Sequence, residues 1–303
     1  MLLRLGTRAS PLALIQANMV RDALLAAHGW SPDAIEIVPI RTTGDRVQDR
    51  PLAEIGGKAL WTKELDRALL DRAIDLAVHS MKDVETIRPD TIAVAAMLPR
   101  ADVRDRLIGA ASIDALPHGA RIGTSSPRRA AQLRRLRPDL AIVPLRGNVD
   151  TRRAKVAAGE ADATLLAAAG LERLGYADIG VAIDVDLLLP APSQGAVGIE
   201  VRAEDAATRS QVAAIGDAAT ERCVWAERAL LAALGGDCHS PIAALATLEE
   251  DGLRLRAEIL NADGSEHVGV ERRSLHGTAQ EAVALAQALL GRASPQLRRM
   301  FGH

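Results

Sequence analysis

The sequence predicts an α/β protein built from two similar lobes, followed by a smaller C-terminal α+β domain. Three observations carry this. One piece of syntax occurs twice: the apolar run Leu2–Leu5 leads through the turn Gly6-Thr7-Arg8-Ala9 to Ser10-Pro11, and Ala120–Ile122 leads through Gly123-Thr124-Ser125 to Ser126-Pro127. Two further echoes follow in the same order. Val38-Pro39-Ile40-Arg41 returns as Val143-Pro144-Leu145-Arg146, and the strand after Asp75 (Leu76–Val78) returns as the strand after Asp162 (Ala163–Ala167). Three echoes in register indicate a duplicated unit, one copy near residues 1–98 and one near 99–195. From about Ala243 the pattern changes to strands separated by Glu250-Asp251-Gly252 and Ala262-Asp263-Gly264, and ends in a helix over Thr278–Leu290.

The elements follow from local chemistry. Ser10 and Ser126 are N-cap residues with proline at the first helical position, so helices run from them to about Leu25 and Leu136. Helices over Thr62–Asp71, Arg128–Leu136 and Asp150–Ala158 alternate with strands, the pattern of sheets with crossover helices. Ligands then belong at strand C-termini and helix N-termini. Between the echoes of the first copy, Thr42–Ala59 is polar, carries Gly44, Gly56 and Gly57, and has no clean periodicity, which reads as a lid. Gly56-Gly57-Lys58 lacks the remainder of a phosphate-binding P-loop and belongs to the same lid.

Composition bounds the function. With 303 residues, two or three domains are expected, and 48% hydrophobic with 25% charged residues is the balance of a soluble globular protein. A net charge of −2 gives no global field for nucleic acid, and 2% aromatic residues leave few platforms for stacking bases. No apolar window is long enough for a membrane span and the N-terminus carries no export signal, so a cytoplasmic protein is expected. The two cysteines, Cys223 and Cys238, lack metal-ligand spacing, which argues against zinc and against a disulfide framework.

The helical run Thr220–Leu234 stops at Gly235-Gly236, and Pro241 forbids an early restart, which places Cys238 on a polar loop with Asp237, His239 and Ser240. A loop thiol is a candidate nucleophile, although free cysteine is also among the most often buried residue types. Cys223 lies inside the helix and reads as core. The turn Gly123–Arg129 gathers helix N–H groups, hydroxyls and two guanidiniums, and Arg8 with Ser10 repeats the idea. Such turns hold carboxylate or phosphate, and equally occur as ordinary caps with solvated arginines. Arg41, Arg146, Arg152 and Arg173 also follow strands or sit at turns, which suggests a polyanionic small molecule. His79-Ser80-Met81-Lys82-Asp83-Val84 follows a strand directly, so Asp83 can move protons or stabilise a cation, or with Lys82 form a surface ion pair. His79 reads as a hydrogen-bonded structural histidine.

Taken together, the motifs resemble the porphobilinogen deaminase (hydroxymethylbilane synthase) family. Gly6-Thr7-Arg8-Ala9-Ser10-Pro11-Leu12-Ala13-Leu14, Val78–Val84, Gly123-Thr124-Ser125-Ser126, Arg128-Arg129, Leu145-Arg146-Gly147-Asn148-Val149, Ala169-Gly170-Leu171, Gln194-Gly195-Ala196 and Gly235-Gly236-Asp237-Cys238 fall in that family's order over nearly the whole chain. The resemblance implies a transferase that polymerises porphobilinogen into hydroxymethylbilane on a dipyrromethane bound to Cys238 by a thioether. It implies two periplasmic-binding-protein-like lobes, with domains at 1–98 (196–214 returning), 99–195 and 215–303. Asp83 is then the catalytic carboxylate. Lys82, Asp83, Thr124, Ser125, Ser126, Arg128, Arg129, Arg146 and Gly147 hold the cofactor, and Arg8, Ser10, Arg152, Arg173 and Gln194 hold substrate. Lys58 and Trp61 belong to a mobile loop, no metal is involved, and the expected protein is a monomer that binds neither nucleic acid nor membrane. Trp61, Ala59, Glu85 and Pro127 depart from the family's usual residues. A non-catalytic two-lobed anion-binding protein is the competing reading, and it needs neither Cys238 nor Asp83.

Overall fold

A computed structural model describes residues 2–42, 62–237 and 239–302. In chain order the first elements are β1 (Leu3–Arg8), α1 (Pro11–His28), β2 (Ile35–Ile40), α2 (Lys63–Leu70), β3 (Leu76–Ser80), the 3-10 turn Met81–Asp83 and β4 (Ile92–Met97). Next come β5 (Asp105–Ile108), β6 (Arg121–Gly123), α3 (Pro127–Leu136), β7 (Ala141–Val143), α4 (Val149–Ala157), β8 (Ala163–Ala167), α5 (Ala168–Arg173) and β9 (Val181–Ala182). The chain continues with β10 (Val197–Arg202), α6 (Ala206–Ala213) and α7 (Ala218–Ala233). It closes with β11 (Ile242–Glu249), β12 (Gly252–Leu260), β13 (His267–Leu275), α8 (Ala279–Arg292) and α9 (Pro295–Arg299).

The duplication is visible in the sheets. One has the strand order β2-β1-β3-β10-β4 and the other β7-β6-β8-β5-β9. Reading by position, β1 and β6, β2 and β7, and β3 and β8 correspond, which is the pairing of the sequence echoes. In both sheets the fourth strand, β10 or β5, runs antiparallel to its neighbours. Residues 1–101 with 195–221 form one compact unit and residues 102–194 with 222–303 a second. We call the first sheet and its helices lobe 1, and the second lobe 2.

Several boundaries differ from the sequence reading, and at two of them the physical reason is plain. Gly6-Thr7-Arg8 is not a turn but the end of β1, because it pairs in parallel with Val38, Pro39 and Ile40 and is held extended. Pro39, which cannot donate to a ladder, is tolerated because β2 lies at the sheet edge. Helix α1 passes Leu25 and reaches His28, where Gly29, at φ 64, returns its N–H to the Leu25 carbonyl.

The core of lobe 1 joins Leu5, Val20 and Leu24 to Leu76, Val78, Ile199 and Val201. That of lobe 2 joins Leu107, Ile122, Leu133 and Leu165. Each such side chain contributes about 1.5–3 kcal/mol when fully buried. In the second unit, α7, α8 and the β11-β12-β13 sheet share a further core that includes Cys223, Leu230, Leu253, Ile259 and Leu285. This sheet packs on α3: a Cβ at Gly264 (φ 74) would lie 2.6 Å from the Ala131 carbonyl, so only glycine permits the approach.

Candidate active site

In lobe 1, Ser10 is extended and its Oγ accepts the Ala13 N–H at 3.4 Å, with Pro11 opening the helix. This capped turn follows β1, and the 3-10 turn Met81–Asp83 follows β3, its parallel neighbour. Both strand ends face one cavity, lined by Arg8, Ser10, Gln16, His79, Ser80 and Asp83 among others. Lys82 and Asp83 are half-buried on their turn. Gln16, which the sequence reading missed, is 2% exposed and its Nε2 donates to Ser80 Oγ at 2.8 Å. A glutamine facing into an apolar helix stripe, between Ala13, Ala17 and Val20, is the signal that could have found it.

Behind His79 lies a buried charge network. His79 Nε2 is 3.1 Å from Glu200 Oε2, off the line of a hydrogen bond. Glu200 also accepts from Arg88 Nε at 2.7 Å, and Arg88 reaches Glu85 at 2.6 Å and Asp66 at 2.5 Å. Glu85 in turn accepts from the Thr62 hydroxyl at 2.8 Å. Burial alone would raise the Glu200 carboxyl, but the charges of His79 and Arg88 outweigh it and hold it at about 2. The family-atypical Glu85 is therefore tied inward to Arg88. His79 is buried and ion-paired with Glu200, and its Nε2 does not form the hydrogen bond that the sequence reading expected of it.

In lobe 2 the equivalent turn is also capped. Ser126 Oγ accepts the Arg129 N–H at 3.4 Å, Thr124 Oγ1 accepts the Ser126 N–H at 3.1 Å, and Ser125 Oγ donates to the Leu145 carbonyl at 3.1 Å. The next loop carries Arg146 and Gly147, then Asn148 caps α4 by accepting the Thr151 N–H at 2.8 Å. Gly147 is at φ 117, and a Cβ there would sit 2.6 Å from Thr151 Cγ2. Arg152 Nε donates to the Gly147 carbonyl at 3.0 Å. Arg173 closes α5, and burial depresses its guanidinium.

Arg128 and Arg129 behave differently from a pair of ligand hooks. Their guanidiniums converge on Asp105 at 2.8 and 2.6 Å, Arg128 also donates to Gln132 and the Leu189 carbonyl, and Arg129 donates to the Leu165 carbonyl. Gln194 Nε2 donates to the same Asp105 at 2.9 Å. Burial would raise the Asp105 carboxyl, yet the two guanidiniums hold it well below the usual carboxylate range. Asp105 and Glu200 were both missed from sequence; each is a fully buried acid on a strand, Asp105 opening β5 and Glu200 within β10. Lys58, Trp61 and Cys238 lie outside the described residues.

The geometry is that of a two-lobed α/β protein whose strand-end loops carry capped helix starts and arginines, with an acid lining one cavity. Comparison with known proteins narrows this class. Residues 3–210 match the family model described as "Porphobilinogen deaminase, dipyromethane cofactor binding domain", and residues 221–292 match "Porphobilinogen deaminase, C-terminal domain". A porphobilinogen deaminase of Sphingopyxis alaskensis is 62% identical over 99% of this chain and 96% of its own length. One of Paracoccus denitrificans is 53% identical over 96% and 94%. Among solved structures, a periplasmic substrate-binding protein of an ABC transporter from Coxiella burnetii aligns with TM-score 0.43 and 17% identity over 73% of this chain and 94% of that one. The chain belongs to the porphobilinogen deaminase family.

Proposed function

We propose that the protein is a transferase that condenses porphobilinogen molecules head to tail into hydroxymethylbilane, with loss of ammonia, on a dipyrromethane joined to Cys238 through a thioether. The observation that carries this reading is the lobe 1 cavity, where Arg8 and Ser10 share one space with Asp83. The donor set suits a group bearing several carboxylates: capped helix starts at Ser126 and Asn148, and the loop with Arg146 and Gly147, where glycine makes room for Thr151 beside the Asn148 cap. When bound, the dipyrromethane supplies the pyrrole carbon to which the first substrate is joined.

The chain's own residues divide the remaining work. Asp83 stabilises the positive charge that develops on the substrate as ammonia leaves, and its carboxylate assists proton removal at the new bond. Arg8, Ser10, Arg152 and Arg173 hold the carboxylates of incoming pyrroles, so that each is presented at one geometry, while Gln194, expected from sequence among them, donates instead to Asp105 and the Val103 carbonyl inside lobe 2. Lys82, Thr124, Ser125, Ser126, Arg146 and Gly147 hold those of the cofactor. Arg128 and Arg129 contribute a fixed positive field beside it, since their guanidiniums are already bonded inside the lobe. Domain 1 comprises 1–98 with 196–214, domain 2 comprises 99–195, and 215–303 carries Cys238. We read the protein as a cytoplasmic monomer; among the described residues no helix is long and apolar enough to cross a membrane. The intact mass of the purified protein tests the proposal. It should exceed the sequence mass by a dipyrromethane, mapped to the Cys238 peptide and absent from Cys238→Ser. Fully active protein of unmodified mass would refute it.

A further inference from the structure

Strand β10 completes the lobe 1 sheet and also touches the turn that presents Asp83. It pairs antiparallel with β3, Val197 opposite Ser80 and Gly198 opposite His79. The contact continues past the strand: Met81 N–H donates to the Ala196 carbonyl at 3.1 Å. The Met81 side chain is 0% exposed and lies over Gly198. A Cβ on Gly198 would fall well inside van der Waals distance of Met81 Sδ and 2.8 Å from its Cγ. Gly198 lies outside the left-handed region, so its backbone conformation does not call for glycine. β10 is buried along its whole length, and glycine inside a strand weakens it by about 0.5–1 kcal/mol relative to alanine. Space for Met81 is what glycine provides here. Lys82 and Asp83 follow directly, and Val84 N–H closes the turn on the Met81 carbonyl at 3.3 Å.

We infer that Gly198 is a positioning residue: the slot it leaves in β10 seats Met81, and Met81 fixes the turn that presents Asp83. The inference rests on the reading of Asp83 as the carboxylate that acts on substrate. Met81 is enclosed on all sides, so a methyl group at 198 moves it together with its turn. A displacement of about 1 Å at a reacting group costs on the order of a hundredfold in rate.

The test compares Gly198→Ala, Met81→Ala, the double variant and Asp83→Asn, each as protein carrying its covalent adduct by intact mass, with kcat, KM and thermal midpoint measured on porphobilinogen. Gly198→Ala should lose about a hundredfold in kcat with KM within about twofold, and Met81→Ala about tenfold. The double variant, which removes the colliding atoms, should be no worse than Met81→Ala. Losses that multiply to about a thousandfold in the double variant overturn the proposal, as does a kcat for Gly198→Ala within about twofold of the unmodified protein. If Gly198→Ala does not fold, Met81→Ala decides, because it leaves β10 intact: full kcat in that variant overturns the proposal. Near-normal turnover in Asp83→Asn sinks the reading of Asp83 itself and this inference with it. Loss in Asp83→Asn beside full kcat in Gly198→Ala sinks the inference alone.

Discussion

The two lobes share a strand order but use the acid on their fourth strand differently. In lobe 1, Glu200 is shared by His79 and Arg88, well away in sequence from the capped turn, and Arg8 lines the cavity. In lobe 2, Asp105 takes both arginines of the equivalent turn, and Gln194 as well. Duplication therefore preserved the scaffold while the charges diverged. Whether an arginine at a helix start faces a ligand is decided by whether a buried acid lies within its reach, which the motif around it does not reveal.

The comparison can be broken by exchanging charges. Asp105→Asn leaves two buried guanidiniums facing a neutral group and should cost about 3–5 kcal/mol of unfolding free energy, read by denaturant titration. Glu200→Gln should cost less, because Arg88 keeps Asp66 and Glu85. Equal losses would remove the distinction between the lobes. Next in size, Arg8→Leu should slow one stage of chain growth by about ten- to a hundredfold with the thermal midpoint nearly unchanged, whereas Arg129→Leu should lower the midpoint. Mass spectra after limited substrate would show the arrested stage; a uniform slowing of every stage would make Arg8 a contributor to a general field.

Acid titration sharpens the same contrast. The Glu200 carboxyl is held at about 2, below its ordinary 4.5, so its contribution to stability is fully present above about 4.5 and is lost as pH falls toward 2. Glu200→Gln should flatten the stability profile in that window. Asp105, held lower in the folded state, keeps its charge there and should leave a residual slope in the variant, since the unfolded chain still takes up a proton at that acid. An unchanged profile in Glu200→Gln would contradict the buried pairing. The smallest effect expected is that of Cys223→Ser, which places a hydroxyl in the core of α7 and β11-β12-β13 and should cost about 1–3 kcal/mol with specific activity retained.

Much of this was legible in the sequence because it rests on local chemistry. Ser10-Pro11 and Ser126-Pro127 announce their helices through capping, and the echoes at Val38 and Val143 announce the duplication. Asp83 was legible as an acid directly after a strand. What stayed hidden depends on pairings between distant residues. Nothing near Glu200 names His79 or Arg88, and nothing near Asp105 names the arginines more than twenty residues later. The return of β10 into lobe 1 is likewise a matter of strand order, and the resemblance, not the spacing, anticipated it. The role of Gly198 required the position of Met81, which no pattern along the chain encodes.

The account's central claim is that Asp83, presented in the lobe 1 cavity, acts on the substrate while the adduct is held independently of it. The most direct test is a single-turnover mass ladder on Asp83→Asn, a substitution that removes the charge and nearly keeps the shape. The account predicts that the dipyrromethane adduct remains on Cys238 while the addition of further pyrroles slows by about a hundred- to a thousandfold. A ladder that grows at the rate of the unmodified protein would contradict it.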